Sequence, residues 1–353
     1  MGSTLTRRMA LVVAAAATLT ACSGATNATD QPHSPQNATD FATSAHCPRP
    51  PDNPVKVAGG SFIMGSDAVY PAQEGPPRET SVPGFWIDPH EVSNRQFAGF
   101  VKATNYVTVA EGSVDPAIFG VPPEHIPPAL LQPGSAVFSP PDRPSHNYSD
   151  WWTYVPGANW KKPYGPQGPD AQPDQPVVHL AFDDMQAYAA WKNGRLPTEA
   201  EWEFAASAGA EKYTEQPAPA RANTWQGLFP VNNQASDGFK GIAPVGCFEP
   251  NAYGLYDMIG NVWEMTADFY RPGHDPKDHE DPRGPTENAA YDPMSPNLPN
   301  RVMKGGSYLC APNYCQRYRP ESRHGRDPGL GASNVGFRLV YDKPPPDRGN
   351  RPE

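Results

Sequence analysis

The sequence predicts a loop-rich α+β domain, a single domain with little regular secondary structure, in which the helices and strands are short. Its 353 residues include 46 prolines and 31 glycines, and proline disrupts long helices and the central strands of a sheet. Aromatic residues make up 10% of the chain and bring enough large apolar surface for one packed core. A helical bundle and a doubly wound parallel sheet are both disfavoured. The net charge of −10 argues against nucleic-acid binding, which needs a basic face.

The N-terminus has the pattern of a bacterial lipoprotein signal. Two arginines precede an apolar run that is too short to span a bilayer, and small residues lead into Cys22. We therefore expect residues 1–22 to be a lipoprotein signal peptide, and the exported protein to be lipid-anchored to the cell membrane through Cys22. The alternative is an ordinary secretory signal that is cut near residue 21 or 25.

The composition then divides the rest of the chain into three parts. Residues 23–46 are rich in Ser, Thr, Asn, Ala and Pro without hydrophobic periodicity, which is typical of a disordered tether. We expect the folded domain over residues 47–342 and a disordered C-terminal tail over residues 343–353.

The first elements of the domain follow from local patterns. Intermittent apolar residues over 55–62, interrupted by two glycines, predict a first strand with a turn or bulge. Residues 85–88 predict a second short strand. Ser93 and Gln96 form a capping box that opens a helix ending near Thr104.

The middle of the chain is less regular. Residues 107–175 have many prolines and no periodicity, which indicates a functional or inserted loop. Residues 176–180 predict a strand, and Asp183 caps a helix through Lys192. Thr198 caps another helix that ends at Gly209, so the acidic residues around 199–203 are interpreted as a capped helix start and not as a catalytic pair.

Two of the five cysteines stand close together, Cys310 and Cys315, among Gly, Ser, Tyr and Arg residues. Two thiols cannot complete the four-ligand shell of a structural zinc. They suit either a disulfide or a soft, low-coordinate metal such as Cu(I), and spacing alone leaves both open.

Five blocks of sequence resemble the formylglycine-generating enzymes, also called sulfatase-modifying factors. The block around the cysteines reads Gly-Gly-Ser-Tyr-x-Cys-x-x-x-Tyr-Cys-x-Arg-Tyr-Arg. The others are residues 59–65, 195–203, 253–264 and 333–338, in the family order. The resemblance spans about residues 54–342 and implies the formylglycine-generating-enzyme fold, which is C-type-lectin-like.

The resemblance also implies a reaction. Such an enzyme is a copper-dependent oxidase that uses O2 to convert a cysteine in the Cys-x-Pro-x-Arg motif of an unfolded sulfatase polypeptide to formylglycine. Soft thiolates select Cu(I), so the resemblance places copper on Cys310 and Cys315. It places Ser307 and Tyr314 in the catalytic pocket, and Trp263 and Asn334 among the substrate-binding residues.

The family carries two structural calcium sites, and their ligands match residues of this chain. The first site would use the side chains of Asn223 and Asp237 with the carbonyls of Thr224 and Phe239. The second would use the side chains of Asp257 and Glu264 with the carbonyls of Gly260 and Val262. Such a mixture of carboxylate, amide and carbonyl oxygens is what calcium prefers.

The departures from the family pattern concern the peptide groove. Residues 320–330 differ from the usual family composition. Residues 106–116, where acidic residues that bind the substrate arginine would lie, match the family only loosely. Glu111 and Asp115 are the candidates in that stretch. We expect Arg319, Arg323 and Arg338 to be structural ion-pair partners.

Two further expectations follow. The remaining cysteines, Cys47 and Cys247, are expected to pair, as spare thiols of exported proteins usually do. We expect a monomer whose contact with the membrane is the lipid alone.

Two other functions stay open. One is a non-catalytic binding module on the same fold, which would have no need of the cysteine pair. The other is an iron-dependent sulfoxide synthase, which needs a His-x-x-x-His-x-Glu pattern that the nine histidines do not form.

Overall fold

The structure, a computed structural model, describes residues 47–145, 147, 150–208 and 221–345. The predicted signal peptide, the tether and most of the C-terminal tail lie outside the described residues. The helix predicted to end at Gly209 ends at Ala206. Within the described ranges, no helix has the length and apolar character needed to cross a membrane.

The secondary structure consists of short elements, as the composition predicts. The strands are β1 (Val55–Val57), β2 (Gly60–Met64), β3 (Arg78–Val82), β4 (Phe85–Ile87), β5 (Gly134–Phe138), β6 (Trp152–Pro156), β7 (Trp263–Phe269), β8 (Arg301–Lys304), β9 (Arg323–Arg326), β10 (Val335–Gly336) and β11 (Val340–Tyr341). The helices are α1 (Pro71–Glu74), α2 (Asn94–Thr104), α3 (Phe182–Lys192) and α4 (Glu199–Ala206).

The strands form small sheets that connect distant parts of the chain. One sheet has the order β10-β7-β8-β9, with β10 parallel to β7 and the other pairs antiparallel. A second has the order β1-β4-β11, so that β4 lies between strands from the two ends of the domain. The hairpins β2-β3 and β5-β6 complete the set. This is the α+β arrangement with little regular structure that the sequence predicts.

The helix starts agree with the sequence at two of three positions. Ser93 and Gln96 form the predicted capping box of α2, and Thr198 and Glu201 form that of α4. The third helix, α3, has Ala181 as its N-cap, two residues before the expected Asp183.

One predicted strand is wrong. Residues 176–180 form only an isolated bridge between Pro176 and Ser93. The chain turns at His179, whose φ is 63°, and left-handed backbone is incompatible with a strand. The side chain of His179 is buried against the Ser135 hydroxyl at 2.9 Å, so tertiary packing overrides the local β propensity.

The long irregular stretch contains structure that the sequence did not indicate. Its two strands, β5 and β6, pair over five residues. Trp151 and Trp160 are buried, and this long loop therefore packs against the core.

Buried ion pairs stabilise the interior, and the three arginines predicted to be structural are confirmed in that role. Arg319 pairs with Glu74, Arg323 with Glu199 and Arg338 with Glu264, each as a forked pair of hydrogen bonds between 2.6 and 2.9 Å. Each bond is charge-assisted and geometrically restrictive. Removing either partner would leave a buried charge uncompensated.

The predicted disulfide between Cys47 and Cys247 is present, with the Cα atoms 4.9 Å apart. It attaches the beginning of the described domain to a cluster that contains Phe239 and Phe248.

Candidate active site: a buried cysteine pair

The two cysteines of the Gly-Gly-Ser-Tyr block lie side by side in the main core. The Sγ atoms of Cys310 and Cys315 are 2.8 Å apart, and the two residues form no disulfide. Their exposed fractions are 1% and 7%. The loop between them places both thiols on one side because the Cys315 amide donates to the Ala311 carbonyl at 2.9 Å, in a single helix-like turn.

The surroundings give the two thiols different pKa values. Burial and the neighbouring Cys315 raise the pKa of Cys310. Burial opposes ionisation of Cys315 as well, but the hydrogen bond from Cys310 and the charge of Arg317 lower the pKa of Cys315 to about 7. Near pH 7 Cys315 is therefore partly ionised, and the thiolate is the form that binds metals and acts as a nucleophile.

Arg317 is a site residue that the sequence did not single out. Its guanidinium lies 4.1 Å from the ring centroid of Tyr70 and donates to Gln73 at 2.8 Å. These two contacts hold the positive charge beside the Cys315 thiolate. Arg317 stands in the cysteine motif, two residues after the second cysteine, so the sequence could have indicated it. The orientation of its side chain, however, depends on Tyr70, about 250 positions away in the chain.

The predicted pocket residues Ser307, Asn334 and Trp263 are close to the thiols. The Ser307 amide lies 3.5 Å from the Cys310 sulfur, and the Asn334 side chain donates to the Ser307 hydroxyl at 3.2 Å. Trp263 is buried in the cluster that includes both cysteines, and its amide donates to the Asn334 carbonyl. The structure brings all three together with the cysteine pair.

Gly306 is required at this point because of close approach. Its φ is 78°, and a Cβ there would lie 2.4 Å from the Arg317 carbonyl oxygen and 3.3 Å from the Cys310 sulfur. Any side chain would displace the loop that carries the thiols.

Tyr314 forms part of an aromatic wall next to the pair. It stacks on Phe229 with ring centroids 4.4 Å apart and meets the edge of Trp151 at 5.0 Å. The residue is 37% exposed, so the wall reaches from the core to solvent. An extended peptide could be held against such a surface by apolar contact.

The two loops predicted to bind calcium are attached directly to the cysteine segment. The Trp225 amide donates to the Cys310 carbonyl at 3.0 Å, and the Tyr308 amide donates to the Asn261 carbonyl at 2.9 Å. Ordering of these loops therefore fixes the backbone that positions Cys310.

The first calcium loop has an oxygen available for a cation. Asn223 is buried, and its Oδ1 has no hydrogen-bond partner among the described residues. Asp237 accepts from the amides of Thr224 and Phe239 at 3.1 and 3.0 Å, which leaves lone pairs on both oxygens. The donor set suits calcium.

The second calcium loop has fewer oxygens free to bind a cation. Both Glu264 oxygens accept from Arg338, and one accepts also from Trp202 at 2.8 Å, so a single lone pair of Oε1 is left. Asp257 has an unpaired Oδ1 in the described part of the chain, and so does the buried Glu91 at Oε2.

Asp257 and Glu91 titrate as one buried pair. Burial, followed by the mutual repulsion of the two carboxylates, raises the pKa of Glu91, and burial raises the pKa of Asp257 to about 6. Two such carboxyls need a proton or a cation between them. Glu91 is a candidate ligand that the sequence analysis did not identify.

The two acidic candidates for the substrate arginine are already engaged. Glu111 accepts from Thr108, Trp160 and Lys161. Asp115 caps a 3-10 turn through the Ala117 amide. Both remain candidates for the peptide groove, and either would have to share its oxygens with these donors.

The known proteins most relevant to this chain come from one family. The family described as "Sulfatase-modifying factor enzyme 1-like domain" matches residues 40–343. The formylglycine-generating enzyme of Mycobacterium tuberculosis is 42% identical over 82% of this chain and 97% of its own length. That of Thermomonospora curvata is also 42% identical, over 82% of this chain and 93% of its own. A mouse relative named "Inactive C-alpha-formylglycine-generating enzyme 2" is 37% identical over 81% of this chain and 84% of its own.

Among solved structures, PvdO from Pseudomonas aeruginosa has a similar fold. The TM-score is 0.55 at 23% identity, covering 82% of this chain and 94% of that one. This similarity supports the fold, and the sequence relatives define the family.

Proposed function

Since the chain belongs to the sulfatase-modifying factor, or formylglycine-generating enzyme, family, we propose that it oxidises a cysteine of an unfolded sulfatase Cys-x-Pro-x-Arg segment to formylglycine with O2. The observation that carries this proposal is the buried, unbonded pair of Cys310 and Cys315 with one acidic thiol.

The pair also suits the proposed metal. Two adjacent buried sulfurs, one of them a thiolate near neutral pH, are the donors that select Cu(I) over zinc, magnesium or calcium. Bound to Cys310 and Cys315, copper would supply the O2 chemistry and an attachment point for the substrate thiolate.

The other residues of the site are assigned supporting roles. Arg317 lowers the pKa of Cys315, Ser307 orients the Cys310 sulfur through its amide, and Asn334 fixes the Ser307 hydroxyl. Trp263 and the aromatic wall of Tyr314, Phe229 and Trp151 exclude water and hold the peptide.

The stoichiometry of the reaction calls for a reductant. Conversion of the substrate thiol and O2 to an aldehyde, hydrogen sulfide and water consumes two further electrons and two protons. The reaction therefore needs an external electron donor such as a thiol.

Calcium is proposed as a structural ion. The first site would use Asn223 and Asp237 with the carbonyls of Thr224 and Phe239. The second would use Asp257 and Glu264 with the carbonyls of Gly260 and Val262. Because both loops bond to the segment that carries Cys310, an ion in either would order the site without contacting the substrate.

Localisation and domain limits complete the proposal. The Cys47–Cys247 disulfide is consistent with an oxidising compartment, which supports export; anchoring through a lipid on Cys22 is proposed from the N-terminal sequence. The folded unit is placed at 47–342, and the protein is proposed to act as a monomer.

The competing proposal is an inactive member of the same fold, since an inactive relative is 37% identical. The cysteine pair favours activity, because a protein that only binds peptides has no use for two unbonded thiols in its core.

One experiment separates the two proposals. A Cys-x-Pro-x-Arg peptide is incubated with the copper-loaded protein, O2 and a thiol reductant, and mass spectrometry follows the conversion of thiol to aldehyde. The control peptide carries serine in place of the cysteine. Saturable binding of the peptide without aldehyde in the wild type would establish the inactive alternative.

A further inference from the structure

A small cavity lies beside the buried ion pairs and is lined by residues outside the proposed active site. The centre of a water molecule can occupy about 90 Å³ of it, which is several times the ~10–15 Å³ that one water needs by that measure. The walls come from the end of β2, the start of β3, the first turn of α4, strand β9 and the loop after β7.

Arg78 is the unusual group in this cavity. It is 8% exposed, and its Nε and Nη1 have no hydrogen-bond partner within the described residues. Its Nη2 meets only the Met64 sulfur, at 3.7 Å. Burial lowers the pKa of Arg78 and outweighs the attraction of Glu199, Asp278 and Glu203, which do not bond to it. A buried guanidinium without a hydrogen-bonded carboxylate is costly, because its charge has lost water and gained no direct partner.

His274 lines the same cavity and is equally buried, at 8% exposure. Its Nε2 also has no partner in the described part of the chain. Burial, followed by the charge of Arg323, lowers the pKa of His274 to about 2, so the ring is neutral and can donate one N–H.

A metal ion at this place is disfavoured by the charges already present. The ligand atoms of Glu199, Glu203 and His274 lie within 4.8 Å of one another, which is a spacing that a cation could use. However, Lys304 pairs with Glu203 at 2.7 Å, and Arg323 pairs with Glu199 at 2.6 Å. A divalent cation would have to displace these groups.

The neighbouring buried carboxylates are already paired, and Arg78 is not. Arg323 pairs with Glu199 and Lys304 with Glu203, and at the mouth Arg271 lies 4.0 Å from Asp275. Among the described residues, the Nε and Nη1 of Arg78 have no such partner. Asp268, another carboxyl that lines the cavity, accepts from the Glu199 amide at the start of α4. Burial raises the pKa of Asp268 to about 7, with nearby Glu199 and Glu201 adding to the shift and Arg283 opposing it.

Two geometric features add to the charge. Glu199 and Ala200, the first residues of α4, line the cavity, and the N-terminus of a helix attracts negative charge. The acidic residues at the mouth, Asp275 and Asp278, are exposed and half-buried respectively, so solvent screens them more than the interior groups.

We propose that this cavity is a binding site for a small oxyanion, of the size of sulfate, phosphate or a short carboxylate, held by Arg78 and His274. The anion would neutralise the unpaired guanidinium and complete the buried charge network next to α4. This site is independent of the proposed oxidase activity.

Calorimetric titration at pH 6 and constant ionic strength tests the proposal, with sodium sulfate, sodium phosphate and sodium acetate as separate probes. The wild type should show saturable binding of at least one probe, with a Kd of about 10 mM or less. The probe that binds best distinguishes a tetrahedral inorganic anion from a carboxylate. Arg78→Gln should weaken binding by about tenfold or more, the loss expected for one charge-assisted hydrogen bond.

The matched control is Arg143→Gln, which removes the same charge from an exposed loop and should bind like the wild type. His274→Asn tests the second contact and should weaken binding by a smaller factor.

If Arg78→Gln fails to fold, anomalous density for selenate at Arg78 in wild-type crystals supports the site in its place. No saturable binding to the wild type, or equal binding by folded Arg78→Gln, would mean an adventitious ion only and overturn the proposal.

Discussion

The protein contains two cysteine pairs in contrasting surroundings. Cys47 and Cys247 join the start of the domain to a satellite cluster and are bonded. Cys310 and Cys315 lie in the main core, in sulfur contact at 2.8 Å, and are not bonded. The first pair closes 200 residues of chain, and the second closes a single turn.

The difference shows that sequence distance and surroundings decide what a pair of thiols does. A bridge across a long segment stabilises the fold because it restricts the unfolded chain. A bridge across one turn restricts the unfolded chain less, so the second pair would contribute less as a disulfide than the first. Arg317 and Tyr70 surround only the second pair, and their charge and ring favour a thiolate there.

The largest expected effect is the loss of activity when the unbonded cysteine pair is changed. Cys310→Ser and Cys315→Ser should each lower aldehyde formation by about a thousandfold or more, because each removes a metal ligand that the other cannot replace. The loss of unfolding free energy should stay within about 2 kcal/mol. Peptide mass spectrometry measures the first quantity and denaturant unfolding the second. Wild-type turnover in either variant would show that the pair is not the reaction centre.

The second largest effect is the loss of stability when the disulfide-bonded pair is removed. The double variant Cys47→Ser/Cys247→Ser should lose up to about 5 kcal/mol of unfolding free energy, since chain entropy rises with the length of the closed loop. Where it is folded, its peptide oxidation should match the wild type. Guanidinium unfolding and the aldehyde assay measure the two quantities. A double variant that unfolds at the wild-type midpoint would remove the stabilising role of the bonded pair.

A third test concerns the loops that support the unbonded pair. Chelation of calcium should lower the melting temperature, with a stabilisation of about 2.7 kcal/mol lost if calcium was present at 100 times its Kd. Asp237→Asn should reduce this loss, and the exposed control Glu124→Gln should not. Glu264→Ala is not diagnostic, because it leaves the buried Arg338 without its carboxylate. An unchanged melting temperature after chelation would show that neither loop binds calcium.

The smallest effect concerns the acidity of Cys315 in metal-free protein. Because Arg317 lowers the pKa of this thiol, Arg317→Met should raise it. The rate of alkylation by iodoacetamide, half-maximal near pH 7 in the wild type, should move to higher pH, with the largest slowing at and below neutral pH. At strongly alkaline pH the two proteins should react alike. The exposed control Arg143→Met should leave the profile in place.

Local patterns predicted the parts of the fold whose causes are local, whereas Trp263 and Asn334, distant in sequence from the cysteines, were identified from the resemblance to the family. The capping boxes at Ser93 and Thr198 depend on residues three positions apart, and both are confirmed. The contacts of Cys310 with Ser307 are equally local. The partners that come from elsewhere in the chain were missed: Tyr70 below Arg317, Glu91 beside Asp257, and Ser135 against His179. Each of these depends on the tertiary packing, which no local pattern contains.

The position of β4 has a consequence for how the chain is made. It pairs with β1 on one side and with β11 on the other, so Ile87 faces both Val55 and Val340. During synthesis β1 and β4 are available early, but one edge of β4 stays unpaired until residues 340–341 emerge. The domain therefore closes only after nearly all of it has been translated, and pairings so distant in sequence form slowly. A chain truncated before Val340 should expose the β4 edge to other chains, whereas extensions beyond the described C-terminal residues should be tolerated.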